Sequence, residues 1–408
     1  MNLIKSATYY LLLAVSNATV VPLRFLYVLL WSLCYGAAAK RCVLYLSQVV
    51  WGDVWQRPQE LASYISRQRP VIYISGIQMH HLLQLRRYLP PVERHQQCIV
   101  ITPVFFSGHY KYKPVYSLNL FLTKVIVKLL TRTVSGIDII TDSPFFMPVI
   151  NSIPVNKIAA YHYDIIDDFT VFNWSPAWGE TLNRSLLSQA KSITTGTLSL
   201  AKKYKEIVGE KSIVFVPVGI DTSLFSNLEH ISCPRDIETF KHKKIIGYVG
   251  SINDRLDFKL IQMIADQFSN TIILMIGPIR ISSDKLPKGE NIVWLGSKAH
   301  KDLPAYISQF SVAIIPFVLD DASKKLFPVK TMEYLSCGVP VVSVALPDVE
   351  VFFGDLVYTS TSAEEICLHI KDLLAGKANH PIAQGIEFSM GHTWDNMAKN
   401  IIENIREF

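Results

Sequence analysis

From residue 42 onward the hydrophobic positions fall into short unbroken runs separated by stretches with helical spacing. Apolar runs at 43–47, 71–75, 98–102, 137–141, 157–161, 192–195 and 213–216 predict strands. The intervals between them, among them 55–67 and 79–88, carry the three-and-four repeat of amphipathic helices. Runs that are apolar at every position, not every second one, belong to parallel strands covered on both faces. A polar stretch at 226–244, containing Pro234, interrupts the alternation. It resumes with strands at 245–249, 272–276, 292–294, 312–315, 339–344 and 356–358. The pattern predicts two doubly wound α/β halves, 42–225 and 244–388, joined by a linker at 226–243.

Residues 7–39 stand outside this rhythm. Their only charge is Arg24, and Lys5, Lys40 and Arg41 flank them. A bilayer span needs about 20 apolar residues. Pro22 and Arg24 divide the run into 7–21 and 25–39. Three arrangements fit: a helical hairpin dipping into one leaflet, a single tilted helix over 20–39, or a signal peptide cleaved after Ala37-Ala38-Ala39. The expectation is a membrane-associating segment, 1–41, holding a catalytic portion on the cytoplasmic face. Composition fits this division. Half of the 408 residues are hydrophobic and only 18% are charged, against about 25% in a typical soluble domain. With 11% aromatic residues the chain is not disordered. A net charge of +6, without a basic low-complexity run, gives no case for nucleic acid. The six cysteines are scattered with no C-x-x-C pair, the usage of a reducing compartment.

The second half carries the more informative chemistry. Gly247-Tyr248-Val249-Gly250 ends a strand, and glycine there lets a phosphate or sugar approach the backbone. Arg255 follows in the next turn, where a guanidinium can pair a pyrophosphate. Gly277-Pro278 closes the next strand. In Phe327-Pro328-Val329-Lys330-Thr331-Met332-Glu333-Tyr334-Leu335-Ser336-Cys337-Gly338-Val339-Pro340, Pro328 suits the first turn of a helix and Gly338 its C-cap. Lys330 adds a positive charge at that helix's N-terminus, and Glu333 can accept from ribose hydroxyls.

The segment Pro-x-Lys-x-x-Glu-Tyr-Leu-x-x-Gly-x-Pro-Val-Val resembles the donor-site helix of GT-B glycosyltransferases of the family-4-like group. The similarity extends to Gly247–Gly250, to Gly277-Pro278 and to Val216-Pro217-Val218-Gly219-Ile220-Asp221 with Phe225. Trp55-Gln56-Arg57-Pro58-Gln59 and Tyr163-Asp164-Ile165-Ile166-Asp167-Asp168 are similar to segments of exopolysaccharide and teichuronic-acid-type transferases. The chain departs from the family at Lys325, where the first acid of a Glu-x7-Glu pair would stand, and at Val218. In this it resembles the membrane-associated glucuronosyltransferases of the xanthan type. The resemblance implies a GT-B fold: two Rossmann-like, doubly wound domains facing a cleft, with a C-terminal helix, 389–408, returning to the first. It also implies a nucleotide-diphosphate sugar as co-substrate, with no metal or other cofactor. The acceptor would be lipid-linked or a polysaccharide, as in surface-glycan biosynthesis at a bacterial inner membrane. Whether transfer inverts or retains the anomeric centre stays open.

The acceptor half must then supply the group that takes the acceptor's proton. Asp164 follows the strand 157–161 and is the candidate favoured by the resemblance; His162 is the second. Asp167 and Asp168 are candidates for the acceptor side of the cleft; being adjacent they do not fit an Asp-x-Asp metal site, and either can instead cap the next helix. Arg57 lies soon after the first strand, where it can face the cleft; its recurrence in the resembling family implies either acceptor binding or closure of the fold. His300 is expected on the surface. At 117–134 the cations Lys124, Lys128 and Arg132 recur every four residues on an otherwise apolar helix. That stripe fits either an anionic membrane surface or an ordinary half-buried helix. Two further functions remain open: a GT-B-fold epimerase or hydrolase of sugar nucleotides, and a catalytically degenerate membrane scaffold.

Overall fold

The computed structural model describes residues 2–35, 40–51, 56–85, 90–169, 174–209, 212–225, 231–321, 323–325, 327–378 and 380–406. The chain forms two compact units, one of Met1–Gly196, Leu200–Val216 and Met397–Phe408, the other of Thr197–Ser199 and Pro217–Asn396.

In the first unit the strands are β1 (Arg41–Ser47), β2 (Val71–Ser75), β3 (Ile77–Gln78), β4 (Val92–His95), β5 (Cys98–Ile101), β6 (Val104–Phe105), β7 (Gly136–Thr141), β8 (Ile158–Ile165), β9 (Ser192–Thr195) and β10 (Ile213–Phe215). Eight of them form a sheet in the order β10-β9-β8-β7-β1-β2-β5-β4, and β3 pairs with β6 apart from it. All neighbours in the sheet are parallel except β4, which runs antiparallel to β5 along the edge. From β1 the chain first builds outward through β2 to β5. It then crosses to the other side of β1 to lay down β7. The C-terminal ends of β1 and β7 therefore border a topological switch point, where open α/β sheets bind ligands. Residues of β1 and β2 are almost wholly buried, which accounts for the unbroken apolar runs.

Four helices of this unit matter below: α1 (Asn2–Tyr35), α2 (Arg57–Ser66), α3 (Met79–Leu85) and α4 (Lys113–Leu130). The N-terminal segment is one continuous helix of 34 residues with Pro22 inside it. This overturns the division at Pro22 that a hairpin requires, and the helix begins far before residue 20. Pro22 lies on the exposed side, so its ring meets solvent instead of the unit. The Ala37–Ala39 motif falls outside the described residues.

The second unit contains β11 (Ile245–Val249), β12 (Ile272–Ile276), β13 (Ile292–Gly296), β14 (Val312–Ile315), β15 (Val341–Val344) and β16 (Val357–Ser360). All are parallel, in the order β13-β12-β11-β14-β15-β16, which places a second switch point between β11 and β14. The stretch 226–243, expected as a linker, belongs to this unit, which begins at Pro217. Its described part forms a short 3-10 helix, Arg235–Phe240, that buries Ile237 completely in the unit's core. The return to the first unit starts at Met397, later than the expected 389.

Candidate functional site

In the first unit the chemistry gathers at the C-terminal ends of β7 and β8. Alternate residues of a strand share a face, so His162 and Asp164 of β8 lie side by side. The register sets them against Ser192 and Thr194 of β9. Asp164 is fully buried. Arg57, at the start of α2, donates from Nε to Oδ2 and from Nη2 to Oδ1, both at 2.8 Å. Its Nη1 donates to the Val216 carbonyl at 2.5 Å. The Thr194 hydroxyl donates to Asp164 Oδ1 at 2.7 Å. Because that proton is committed, Thr194 Oγ1 can only accept from His162 Nε2, 2.9 Å away. The imidazole is therefore the Nε2–H tautomer, with Nδ1 accepting from Ser192 Oγ at 2.5 Å. Burial lowers the His162 pKa to about 4, so the ring is neutral. For Asp164 burial pushes the pKa upward, but the Arg57 charge and hydrogen bonds outweigh it and hold the carboxyl below its usual range.

An ionised carboxylate with both oxygens bonded, beside a neutral imidazole with both nitrogens bonded, is a closed network. Neither Asp164 nor His162 is free to take a proton from an acceptor as the residues stand. Arg57, for which the sequence leaves acceptor binding and closure of the fold both open, is 4% exposed and holds Asp164. Asp168 is buried and held by Lys203 Nζ, at 2.9 and 2.8 Å from its two oxygens. It is thus an ion-pair partner; Asp167 beside it is half-buried.

A carboxylate that sequence reasoning passed over lies at the switch point. Asp142, immediately after β7, is fully buried. It accepts from the Ser47 hydroxyl at the end of β1 and from the Gln48 amide at 3.0 Å. Burial raises its pKa to about 7; the two hydrogen bonds oppose that rise, and the charges of Asp164 and Asp167 add to it. A carboxyl in this range can change protonation state near neutral pH. Only its place, one residue beyond an apolar run, signals it in the sequence.

In the second unit the glycines of the strand ends serve packing. A Cβ on Gly247 would strike the Phe310 ring, and one on Gly250 would meet the Tyr248 hydroxyl at 2.4 Å. Gly277 has φ +146°, and a Cβ there would lie 1.8 Å from the Gly250 carbonyl oxygen. Gly250 and Gly277 thus bring two strand ends backbone to backbone, which is their structural reason for being glycine. Arg255 is exposed in the loop after β11, and its carbonyl accepts from Val318 beyond β14. That bond pins the Arg255 loop across the switch point.

The helix Lys330–Ser336 starts two residues after Pro328, with Val329 as its N-cap, so Pro328 precedes the first turn instead of occupying it. Its C-terminus is as expected: Gly338 has φ +68°, and the amides of Gly338 and Val339 bond back to Leu335 and Tyr334. The buried Tyr334 hydroxyl accepts from the Val249 amide at 2.8 Å, which staples this helix to the end of β11. Lys330 Nζ lies 2.8 Å from each oxygen of Glu333. Burial pushes the Glu333 pKa upward, and the Lys330 charge, with His300, brings it below the usual value. His300, exposed as expected, also reaches to 3.5 Å from Glu333 Oε1. Thr331, also missed by the sequence, is fully buried, and its hydroxyl finds no hydrogen-bond partner among the described residues.

Residues 243–375 match the family model described as glycosyl transferases group 1. That span covers all six strands of the second unit's sheet. Among curated proteins the chain is 28% identical over 179 residues to "Putative teichuronic acid biosynthesis glycosyltransferase TuaH" of Bacillus subtilis (strain 168). The match takes in 42% of this chain and 45% of that protein, less than half the length of the relative. Among solved structures, a sucrose-phosphate synthase from Thermosynechococcus elongatus superposes with a TM-score of 0.67 at 15% identity. It covers 90% of this chain and 99% of its own. A trehalose-6-phosphate protein from E. coli bound with UDP-2-fluoro glucose gives 0.68 at 9% identity, again over 90% and 99%. A glycosyltransferase from Rickettsia africae gives 0.67 at 14%, over 91% and 99%. The chain has the two-domain GT-B fold.

Proposed function

We propose that this protein is a glycosyltransferase. It moves a sugar from a nucleotide-diphosphate sugar to a lipid-linked or polysaccharide acceptor at the cytoplasmic face of a membrane, in the assembly of a surface glycan. The observation that carries the reading is the group 1 glycosyl transferase match over 243–375, on a unit whose helix with the Lys330–Glu333 pair is bonded through Tyr334 to the end of β11 at the switch point. In this reading the donor's diphosphate takes Lys330, and its ribose hydroxyls take the Glu333 oxygens, so the donor replaces an internal ion pair. Arg255 adds a second cation for the diphosphate, and the loops at Gly250 and Gly277 form the floor. A leaving diphosphate stabilised by fixed cations needs little else at the donor.

In the first unit the proton of the attacking hydroxyl goes to a carboxylate at the sheet's C-terminal edge. Asp142, likewise buried with both oxygens bonded, suits that duty by its pKa near 7 once an acceptor has displaced the Ser47 hydroxyl or the Gln48 amide. Asp164 enters only after an acceptor has displaced Arg57 or Thr194. The membrane part of the reading rests on α1, whose residues Tyr9–Ser32 are long and apolar enough to cross a bilayer.

The test is turnover by the purified full-length chain with UDP-, GDP- and dTDP-sugars, with and without a membrane lipid extract. Acceptor-dependent release of nucleotide is expected. Release without acceptor would instead indicate a hydrolase or epimerase. Absence of release from every donor, with nucleotide still bound, would indicate a scaffold and overturn the assignment.

A further inference from the structure

One face of α1 is fastened along the first unit. Val21, Val28 and Ser32 are buried there. On the same side Asn17 Oδ1 accepts from the Ser107 amide at 3.4 Å, and Arg24 Nη2 donates to the Thr102 carbonyl at 3.1 Å. These contacts run over about 22 Å of helix, against α3, α4 and β6. The opposite face carries a row of exposed large apolar side chains. Leu12, Val15, Leu23, Leu26 and Leu30 are 51%, 52%, 66%, 48% and 53% exposed. Helical geometry places all five on one stripe. The helix contains no acidic residue.

The neighbouring α4 continues the same chemistry. Leu118 and Phe121 are 45% and 59% exposed. Lys113 and Lys128 are exposed around them, and Lys124 is half-buried. An apolar stripe this long, left uncovered in a soluble molecule, costs too much to be incidental. Its basic surroundings would repel an identical face on a second copy and attract anionic lipid headgroups.

We propose that α1 lies flat within one anionic leaflet and does not cross it. The stripe of Leu12, Val15, Leu23, Leu26 and Leu30 is immersed, with Leu118 and Phe121 of α4 beside it. Crossing would require α1 to leave the unit, which would bare Val21 and Val28 and break the Arg24 and Asn17 bonds, or to carry the charged flank of α4 into hydrocarbon. This deepens the membrane association proposed above and rests on it, but not on the transfer chemistry.

The test is membrane depth. Full-length protein in a Cys34→Ser, Cys233→Ser and Cys337→Ser background is labelled with a nitroxide on a cysteine introduced at position 12, 23 or 30 in turn. The labelled proteins are bound to phosphatidylcholine–phosphatidylglycerol vesicles, and immersion is read by power-saturation spin resonance. A flat helix gives three equal depths near the headgroup–acyl boundary, about 5–10 Å in. A crossing helix would separate positions 12 and 30 by about 27 Å. Graded depths of that size overturn the proposal, and so does mutual broadening of the labels without lipid contact, the sign of a second copy. Leu23→Glu with Leu26→Glu, both on the exposed face, is expected to cut vesicle binding at least tenfold with an unchanged melting temperature. Equal binding by that variant is a second contrary result. Failure of the unsubstituted protein to float with vesicles would remove the membrane reading itself. Transfer to a water-soluble acceptor, assayed in parallel, reports on the enzymatic reading alone.

Discussion

Arg57 and Asp164, 107 positions apart in the chain, meet as a two-pronged ion pair with both nitrogen–oxygen distances at 2.8 Å. The pair is buried on both sides. Breaking one half of such a pair leaves the other charge without a partner, typically a loss of about 3–5 kcal/mol. Arg57→Ala and Asp164→Asn should each lower stability by that order in chemical denaturation. The double variant Arg57→Met with Asp164→Leu should recover much of it. A double variant as unstable as the sum of the two would show that the residues do not act through each other.

The Asp142 carboxyl predicts a pH dependence with a definite sign. Its folded pKa, about 7, stands above its ordinary value of 3.8, so folding favours the protonated form. The associated stability is fully present below pH 4 and is lost as pH rises through 7, a change of up to about 4 kcal/mol. Asp142→Asn cannot ionise, so the gap in melting temperature between variant and parent should move in the variant's favour from pH 5 to pH 8. If Asp142 accepts the acceptor's proton, the same variant abolishes transfer while nucleotide binding stays intact. A gap independent of pH would remove both statements.

At the donor end, Lys330→Ala should weaken binding of UDP, GDP or dTDP by about 10- to 100-fold in calorimetry, the worth of a charge-assisted hydrogen bond. It should also lower stability, because Glu333 is buried and loses the cation that keeps it ionised. Unaltered affinity for all three nucleotides would contradict the diphosphate role. Thr331→Val keeps the shape and deletes a buried hydroxyl without a partner. It should therefore raise stability by about 1 kcal/mol; a fall would show that the hydroxyl is bonded in solution.

Gly277 is the least replaceable glycine. With a Cβ 1.8 Å from the Gly250 carbonyl and a backbone that side chains rarely adopt, Gly277→Ala should prevent the second unit from folding. Gly376→Ala makes the comparison. Its φ is also positive but nothing lies within 4 Å, so only backbone strain of about 1 kcal/mol applies. Similar melting temperatures for the two variants would place the close approach in doubt.

The sheets were legible in the sequence because both are buried on both faces, and a buried parallel strand writes itself as an apolar run. β3, β4 and β6 went unseen: two have two residues each, and β4 is a charged edge strand, Val-Glu-Arg-His. The Pro22 boundary failed because a proline on the outward face of a helix held by its neighbours is tolerated there. The candidate residues were found by type, but their pairing was not. Nothing in the spacing of Arg57, His162, Asp164 and Thr194 says that the β8–β9 register and the start of α2 close them into one network. Asp142 was missed for the same reason, since its environment comes from Ser47 and Gln48, almost a hundred residues earlier.

The helix Trp394–Arg406 also orders events in time. Met397, Ala398 and Ile401 are buried within the first unit, although the whole second unit is synthesised before them. During translation the second unit can close on its own sequence, whereas the first must wait with part of its core uncovered until residues 397–406 have emerged. Its apolar α1 is displayed throughout that interval, and on the membrane reading proposed above an early landing on a bilayer would protect it against aggregation as well as address it.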